Sequence, residues 1–298
     1  MMNRKEIEIL FRFNTICRKD YFMRSIITII KEQIKSFYLV RRLSVYELKS
    51  ANRNHYLGIM WEIINPMIQI SIYWFVFGFG IFHSNGRGNV EMGDEWIPYF
   101  PWMLSGIVVW FFVNQAITQG SKSIYTRIKM ISKMSFPMSV IPTYVIFAKF
   151  YQHLMLLGVI LVMFQFLGYP INIHYVQLPY FIIATVIFLV TLSLITSTLT
   201  TIVRDFQMLI TSTVRILIYL SPILWPPYHM QPAIIQTIMK LNPIYYLVEG
   251  YRASILGLSW YPIDHWQYTL YFWVVIFILL FIGSILHIKF RDRFVDFL

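Results

Sequence analysis

The chain reads as an all-α polytopic membrane protein. It has six transmembrane helices, an N-terminal amphipathic interfacial helix and a re-entrant helical hairpin before the last span. Three observations predict this. The 298 residues are 57% hydrophobic and 18% aromatic but only 13% charged, whereas a soluble domain carries about 25% charged residues. Mean hydropathy is +0.59. Charge-poor apolar stretches of about 20 residues, the length that crosses ~30 Å of hydrocarbon, recur along the chain. The net charge of +11 is unevenly placed: 12 of the 25 Lys and Arg precede residue 54. An anionic leaflet surface explains that distribution better than nucleic acid does. The single Cys17 excludes an internal disulfide and is no metal site.

Residues 1–30 mix charge with scattered apolar residues and read as an N-terminal arm. They lack a signal peptide, because the apolar run 25–30 is short and closely flanked by charge. Residues 31–55 form the amphipathic helix. At 100° per residue, Lys31, Lys35, Arg42, Lys49 and Arg53 share one stripe. Ile34, Phe37, Tyr38, Val45 and Leu48 lie beside it, which suits a helix lying in the membrane surface. Arg41 interrupts that apolar face. Span 1 is expected at about 60–82 and a Gly-rich acidic loop at 83–96. Span 2 is expected at 97–119, with Trp96, Tyr99 and Trp102 at headgroup level. Residues 120–141 form a basic loop holding a short helix, 124–134, stopped before Pro137. Span 3 (142–167) carries Lys149 and His153. Span 4 (178–202) ends rich in Ser and Thr, suited to close helix contact. Arg204-Asp205 complements the dipoles of the helix ends it joins, and span 5 follows at 206–225.

Residues 226–266 are apolar yet broken by Pro226, Pro227, Pro232 and Asn242-Pro243. Asn242 is a favoured N-cap with Pro243 at the first helical position, and Gly257 can close that helix. The pieces 232–240 and 243–256 are too short to cross a bilayer, so about 228–260 reads as a re-entrant hairpin. Span 6 (267–288) precedes a basic tail, 291–298. Positioning the Lys and Arg on this plan puts 20 on one side and three (Arg87, Lys240, Arg252) on the other. That bias places both termini in the cytoplasm of a multi-pass cell-membrane protein.

Motifs for catalysis are missing. There is no G-x-x-x-x-G-K-[ST] phosphate loop, no H-E-x-x-H and no Gly-rich dinucleotide turn. The chain reads as no enzyme by itself, with no catalytic residue, cofactor or metal of its own. Arg215 is the sharpest single residue, lying nine residues into span 5 at about 13 Å depth. Thr211, Ser212 and Tyr219 share its face, so Arg215 and Tyr219 either line a passage or, for the Arg, bond to the broken 226–260 segment or Glu249. Lys149 either snorkels to headgroups or, with His153 one turn on, faces the same passage.

The residues resemble a known family. Y-L-G-x-x-W-x-x-x-x-P (56–66), Phe136-Pro137, Arg204-Asp205, S-P-I-L-W (221–225) and L-N-P-x-x-x-L-x-E-G-Y-R (241–252) are similar to ABC-2-type polysaccharide export permeases. Among the branches, wall teichoic acid exporter permeases look nearest, with O-antigen and capsular polysaccharide exporters close behind. The resemblance implies a homodimer of this permease with two copies of a separate ABC ATPase subunit that binds ATP and Mg. It implies a lipid-linked polymer as substrate, moved between the two permease copies. It further implies that Arg127, Ile128, Ile131, Ser132, Lys133 and Phe136 couple to the ATPase, the alternative being positive-inside charges on a connector. The function expected is therefore bacterial export of a lipid-linked wall teichoic acid; the alternative is an O-antigen or capsular exporter. Outside this class, a proton-coupled secondary transporter would need intramembrane carboxylates, and only Glu62, near an edge, is available. A membrane-embedded transferase would need a metal or acid/base cluster, and nothing in the sequence marks one.

Overall fold

The computed structural model describes residues 19–83, 88–92, 95–131, 137–226, 233–291 and 294. The chain opens with helices α1 (Lys19–Lys35) and α2 (Phe37–Ala51). A 3-10 turn (Gly58–Met60) leads into α3 (Trp61–Tyr73), which continues as a π-helix over Trp74–His83. Strands β1 (Asn89–Met92) and β2 (Glu95–Pro98) pair antiparallel, Val90 opposite Ile97. Then come α4 (Tyr99–Ser121), α5 (Ser123–Ile131), α6 (Val140–Phe166), α7 (Leu178–Ile202) and α8 (Phe206–Leu220). Helices α9 (Ala233–Lys240), α10 (Pro243–Leu256), α11 (Tyr261–Asp264) and α12 (Trp266–Phe290) complete the chain. Among the described residues, five helices are long and apolar enough to cross a membrane: Gly58–Gly80, Tyr99–Ser121, Val140–Phe166, Ile173–Ile202 and Trp266–Phe290. This is a polytopic helical membrane protein.

Helix α4 is the hub. Its central residues are buried on every face, and α6, α7, α8 and α10 all pack on it. The outer spans differ sharply: 83% of the most apolar stretch of α4 is buried, against 11% in the first span and 22% in the last. Several hydroxyls of the Ser/Thr-rich end of α7 bond within the helix, as in Thr198 Oγ1 to Leu194 O at 2.8 Å and Thr201 Oγ1 to Ser197 O at 2.7 Å. Thr198 Oγ1 also lies 3.2 Å from His287 Nδ1 of α12. A Cβ on Gly283 would sit 3.2 to 3.4 Å from Ile195, Leu194 and Thr191, so the helices are already in close contact.

Four features depart from the sequence reading. The stretch 83–96, expected as a loop, contributes strand residues to a hairpin, so the fold is helical with one small β element. Helix crosses residue 30 without a break, since Ser36 N bonds to Glu32 O (3.0 Å) and Val40 N to Ser36 O (2.9 Å) across the junction of α1 and α2. The apolar stripe of α2 divides. Leu48 is buried, together with Val40 and Ser44 from outside the expected stripe, on the side that packs on α6, while Ile34 at the end of α1 and Phe37, Tyr38 and Val45 of α2 stay exposed. Finally, α8 ends at Leu220 rather than near 225. Pro222 biases Ser221 to an extended backbone (φ −107, ψ 151). The 15-residue helix therefore covers about 22 Å, short of a full crossing.

The broken segment has the caps the sequence predicts. Asn242 Oδ1 accepts from Ile244 N at 3.0 Å, Pro243 starts α10, and Gly257 closes it in the left-handed conformation (φ 77). Only glycine suits that position, because a Cβ would also fall 2.4 Å from Asn172 Nδ2. Asn242 Nδ2 reaches Ser221 Oγ at 3.0 Å, and the Tyr99 hydroxyl donates to Leu224 O at 2.6 Å. The irregular stretch after α8 is thus fastened to α4 and α10.

Candidate functional site

The basic end of the bundle carries the expected coupling segment. Helix α5 hangs from α4 by the turn at Lys122, and Ile124 is buried in a second small core. Val40 of α2, Val140, Ile141, Tyr144 and Val145 of α6, and Phe294 complete that core. Arg127 points inward: its guanidinium pairs with Glu47 of α2 and lies 5.8 Å over the Tyr144 ring. Ile128 and Ile131 lie on α5, whereas Ser132, Lys133 and Phe136 lie outside the described residues.

Lys149 and His153 share a narrow cleft with Glu62 and Pro66 of α3 and with Phe111, Phe112 and Gln115 of α4. It has room for about one water. His153 is held within the protein, its Nε2 3.0 Å from the Tyr251 hydroxyl and its ring stacked on Phe112 at 4.8 Å. Gln152 Oε1, buried at the same cleft, has no hydrogen-bond partner, which marks a place for a bridging water. Glu62 is steadied by Asn52 Nδ2 at 3.0 Å.

Arg215 and Tyr219 are exposed on α8, with Ser212 on the same stripe one turn earlier. No hydrogen-bond or ion-pair partner for Arg215 is found among the described residues, and Glu249 turns to another cation. Among the described residues the buried arginine is Arg252, fully enclosed. Its Nη1 meets Glu249 Oε1 at 2.6 Å, Nη2 donates to Pro222 O at 2.7 Å and Nε to Trp102 O at 3.2 Å. The guanidinium lies 4.0 Å from the Trp102 ring centroid, and Gly106 leaves the space it fills. Sequence reasoning counted Arg252 as an outer loop charge. The missed signal was Glu249 three residues before it, one helical turn apart in an apolar half-helix. Among the described residues no group of three His, Cys, Asp or Glu could hold a metal ion.

Residues 38–256 match the family of ABC-2 type transporters. The chain belongs to the ABC-2 type transporter family. It is 25% identical over 229 residues to the O-antigen export system permease protein RfbA of Myxococcus xanthus, covering 76% of this chain and 84% of that one. It is 24% identical over 253 residues to the protein of the same name from Klebsiella pneumoniae, covering 85% of this chain and 92% of that one. An ABC-2 permease is the transmembrane component of a transporter and not its catalyst. The matched stretch runs from the second residue of α2 to the last residue of α10. It therefore takes in nearly all of α2 together with α5, the cleft, the α8 stripe and Arg252.

Proposed function

We propose that this ABC-2 permease is the membrane subunit of an exporter for a lipid-linked cell-surface polysaccharide, driven by a separate ATPase that binds ATP and Mg. The observation that carries the passage is the stripe Ser212–Arg215–Tyr219, exposed on α8. A lone Arg at that depth facing lipid costs at least ~2.5 kcal/mol. A second copy of the chain, set against α8 and the sparsely covered first span, gives the stripe a water-filled lumen instead. Tyr219 offers a ring on which sugars stack, and Arg215 a fork for phosphate.

In this reading α8 and the irregular 221–226 segment together make the fifth of six crossings, α9 and α10 are the re-entrant hairpin, and both termini are cytoplasmic. Helix α5 then faces the ATPase. The names of the relatives favour an O-antigen-type polymer over wall teichoic acid. The exposed Arg215, with its affinity for phosphate, is the one feature that favours the anionic wall polymer. A secondary transporter has no support from the family match.

The permease is co-expressed with its ABC ATPase and reconstituted. Arg215→Gln should assemble normally and keep its melting temperature, yet lose substrate-stimulated ATP hydrolysis. Normal stimulation in a folded Arg215→Gln complex removes the stripe from the passage. Ile131→Asp should release the ATPase, and stoichiometric co-purification would take the coupling role away from α5.

A further inference from the structure

Helix α5 packs on α4, α6 and α7, and a charged contact runs sideways from it to α2. Arg127 donates from Nη2 to the Glu47 carboxylate. Its Nη1 meets Thr126 Oγ1 at 3.0 Å and Ser123 O at 3.4 Å. The side chain is only 19% exposed. Its charge and most of its donors are thus committed inside the protein, so Arg127 is poorly placed to serve as a contact for a docked subunit. What it grips is α2, the interfacial helix.

Helix α2 is itself part of a block. Val40 shares the small core with Ile124 of α5, and Ser44 Oγ donates to Tyr144 O of α6 at 2.9 Å. One turn before α2, Gln33 Nε2 donates to Ser139 O at 2.9 Å. Glu32 accepts from Ser139 Oγ and, at 3.1 Å, from Arg291 Nη1 beyond α12. The far flank of α2 carries Tyr38 and Val45 uncovered. A displacement of α5 reaches α2 through this pair and through the small core they share.

We propose that Arg127 and Glu47 form a strut through which movement of α5 displaces the interfacial helix α2. The helix is then a moving part of the transport cycle, and Glu47 is its positioning residue. This rests on the reading that α5 receives the ATPase stroke. The pair adds a directional link to the small core that Val40 of α2 and Ile124 of α5 share.

The test uses the full permease–ATPase complex in proteoliposomes, in a Cys17→Ser background with bimane on Tyr38→Cys. With the Arg127–Glu47 pair intact, ATP with vanadate should shift bimane emission. Glu47→Gln should abolish the shift and lower polymer exported per ATP hydrolysed by roughly fivefold, the worth of a partly exposed pair. The ATPase should stay bound. The charge swap Glu47→Arg with Arg127→Glu should restore shift and coupling, a rescue that a merely structural role would not give.

An unshifted probe with the pair intact, or a Glu47→Gln complex that shifts and exports normally, overturns the strut. Loss of the ATPase from Glu47→Gln assigns the pair to docking instead, and failure of the swap in a folded complex removes the pairing from the mechanism. The two readings come apart through Ile131→Asp. If that variant keeps its ATPase the docking role of α5 falls, while a Glu47-dependent shift at Tyr38 still upholds the strut.

Discussion

Glu249 and Arg252 give the most quantitative test of how the broken segment is held. Both are buried, and Arg252 bridges three elements through Glu249, Pro222 O and Trp102 O. Glu249→Gln removes the counter-charge and leaves a buried guanidinium, at a cost of about 3–5 kcal/mol. Arg252→Met strands the carboxylate and the two carbonyls, at a similar cost of about 3–5 kcal/mol. At roughly 2 °C per kcal/mol for a chain of this size, each single change should lower the melting temperature by about 6–10 °C. The double variant removes both charges together. It loses mainly the hydrogen bonds to Trp102 O and Pro222 O, about 1–2 kcal/mol each. Its melting temperature should therefore fall no further than that of either single variant, rather than by their sum. The assay is thermal unfolding of the purified permease in detergent, followed by size-exclusion fluorescence. Additive losses, within ~0.5 kcal/mol as for independent sites, would refute the coupling and make Arg252 an ordinary filler of space.

Three further outcomes follow from the same geometry. Gly106→Ala places a Cβ 2.6 Å from Arg252 Nη2 and should cost about 1–3 kcal/mol by overpacking, an effect that Arg252→Met should relieve in a combined melt. Asn242→Ala loses the cap on Ile244 N and the bond to Ser221 Oγ, so melting should fall by about 2 °C for a loss near ~1 kcal/mol, with Asn242→Asp retaining the cap alone. In spheroplasts of a Cys17→Ser strain, Lys49→Cys and Lys289→Cys should both resist an impermeant thiol reagent; labelling of either overturns the orientation with cytoplasmic termini.

Much of the helical layout is legible because its signals are local. Leu178 and Ile202 bound a helix where the apolar run begins and ends, and Asn242, Pro243 and Gly257 each act through their own backbone. What escapes the sequence depends on partners distant along the chain. Residues 221–225 look as apolar as the helix before them, and only Pro222 together with the fastening of Leu224 to Tyr99 shows where α8 stops. Val40 and Ser44 look no more core-like than Ile34 and Tyr38; the side of α2 that is buried is chosen by Tyr144, a hundred residues on. Arg127 reads as a surface cation until Glu47 is seen beside it. Arg215 and Arg252 both sit in apolar surroundings, and their opposite fates are set by which helix stands at the centre.

The hub helix α4 also bears on how the protein is made. It leaves the ribosome before α6, α7, α8 and α10, the helices that cover it, so it must wait in lipid with its eventual interior uncovered. Its sequence permits that wait, for it has no Asp, Glu, Lys or Arg between Tyr99 and Ser121. Helix α8, short and carrying Arg215, has no such independence and enters a membrane where α4 and α7 already stand. The synthesis order thus lays down the helix that lipid tolerates unaided first, and the one that needs company afterwards.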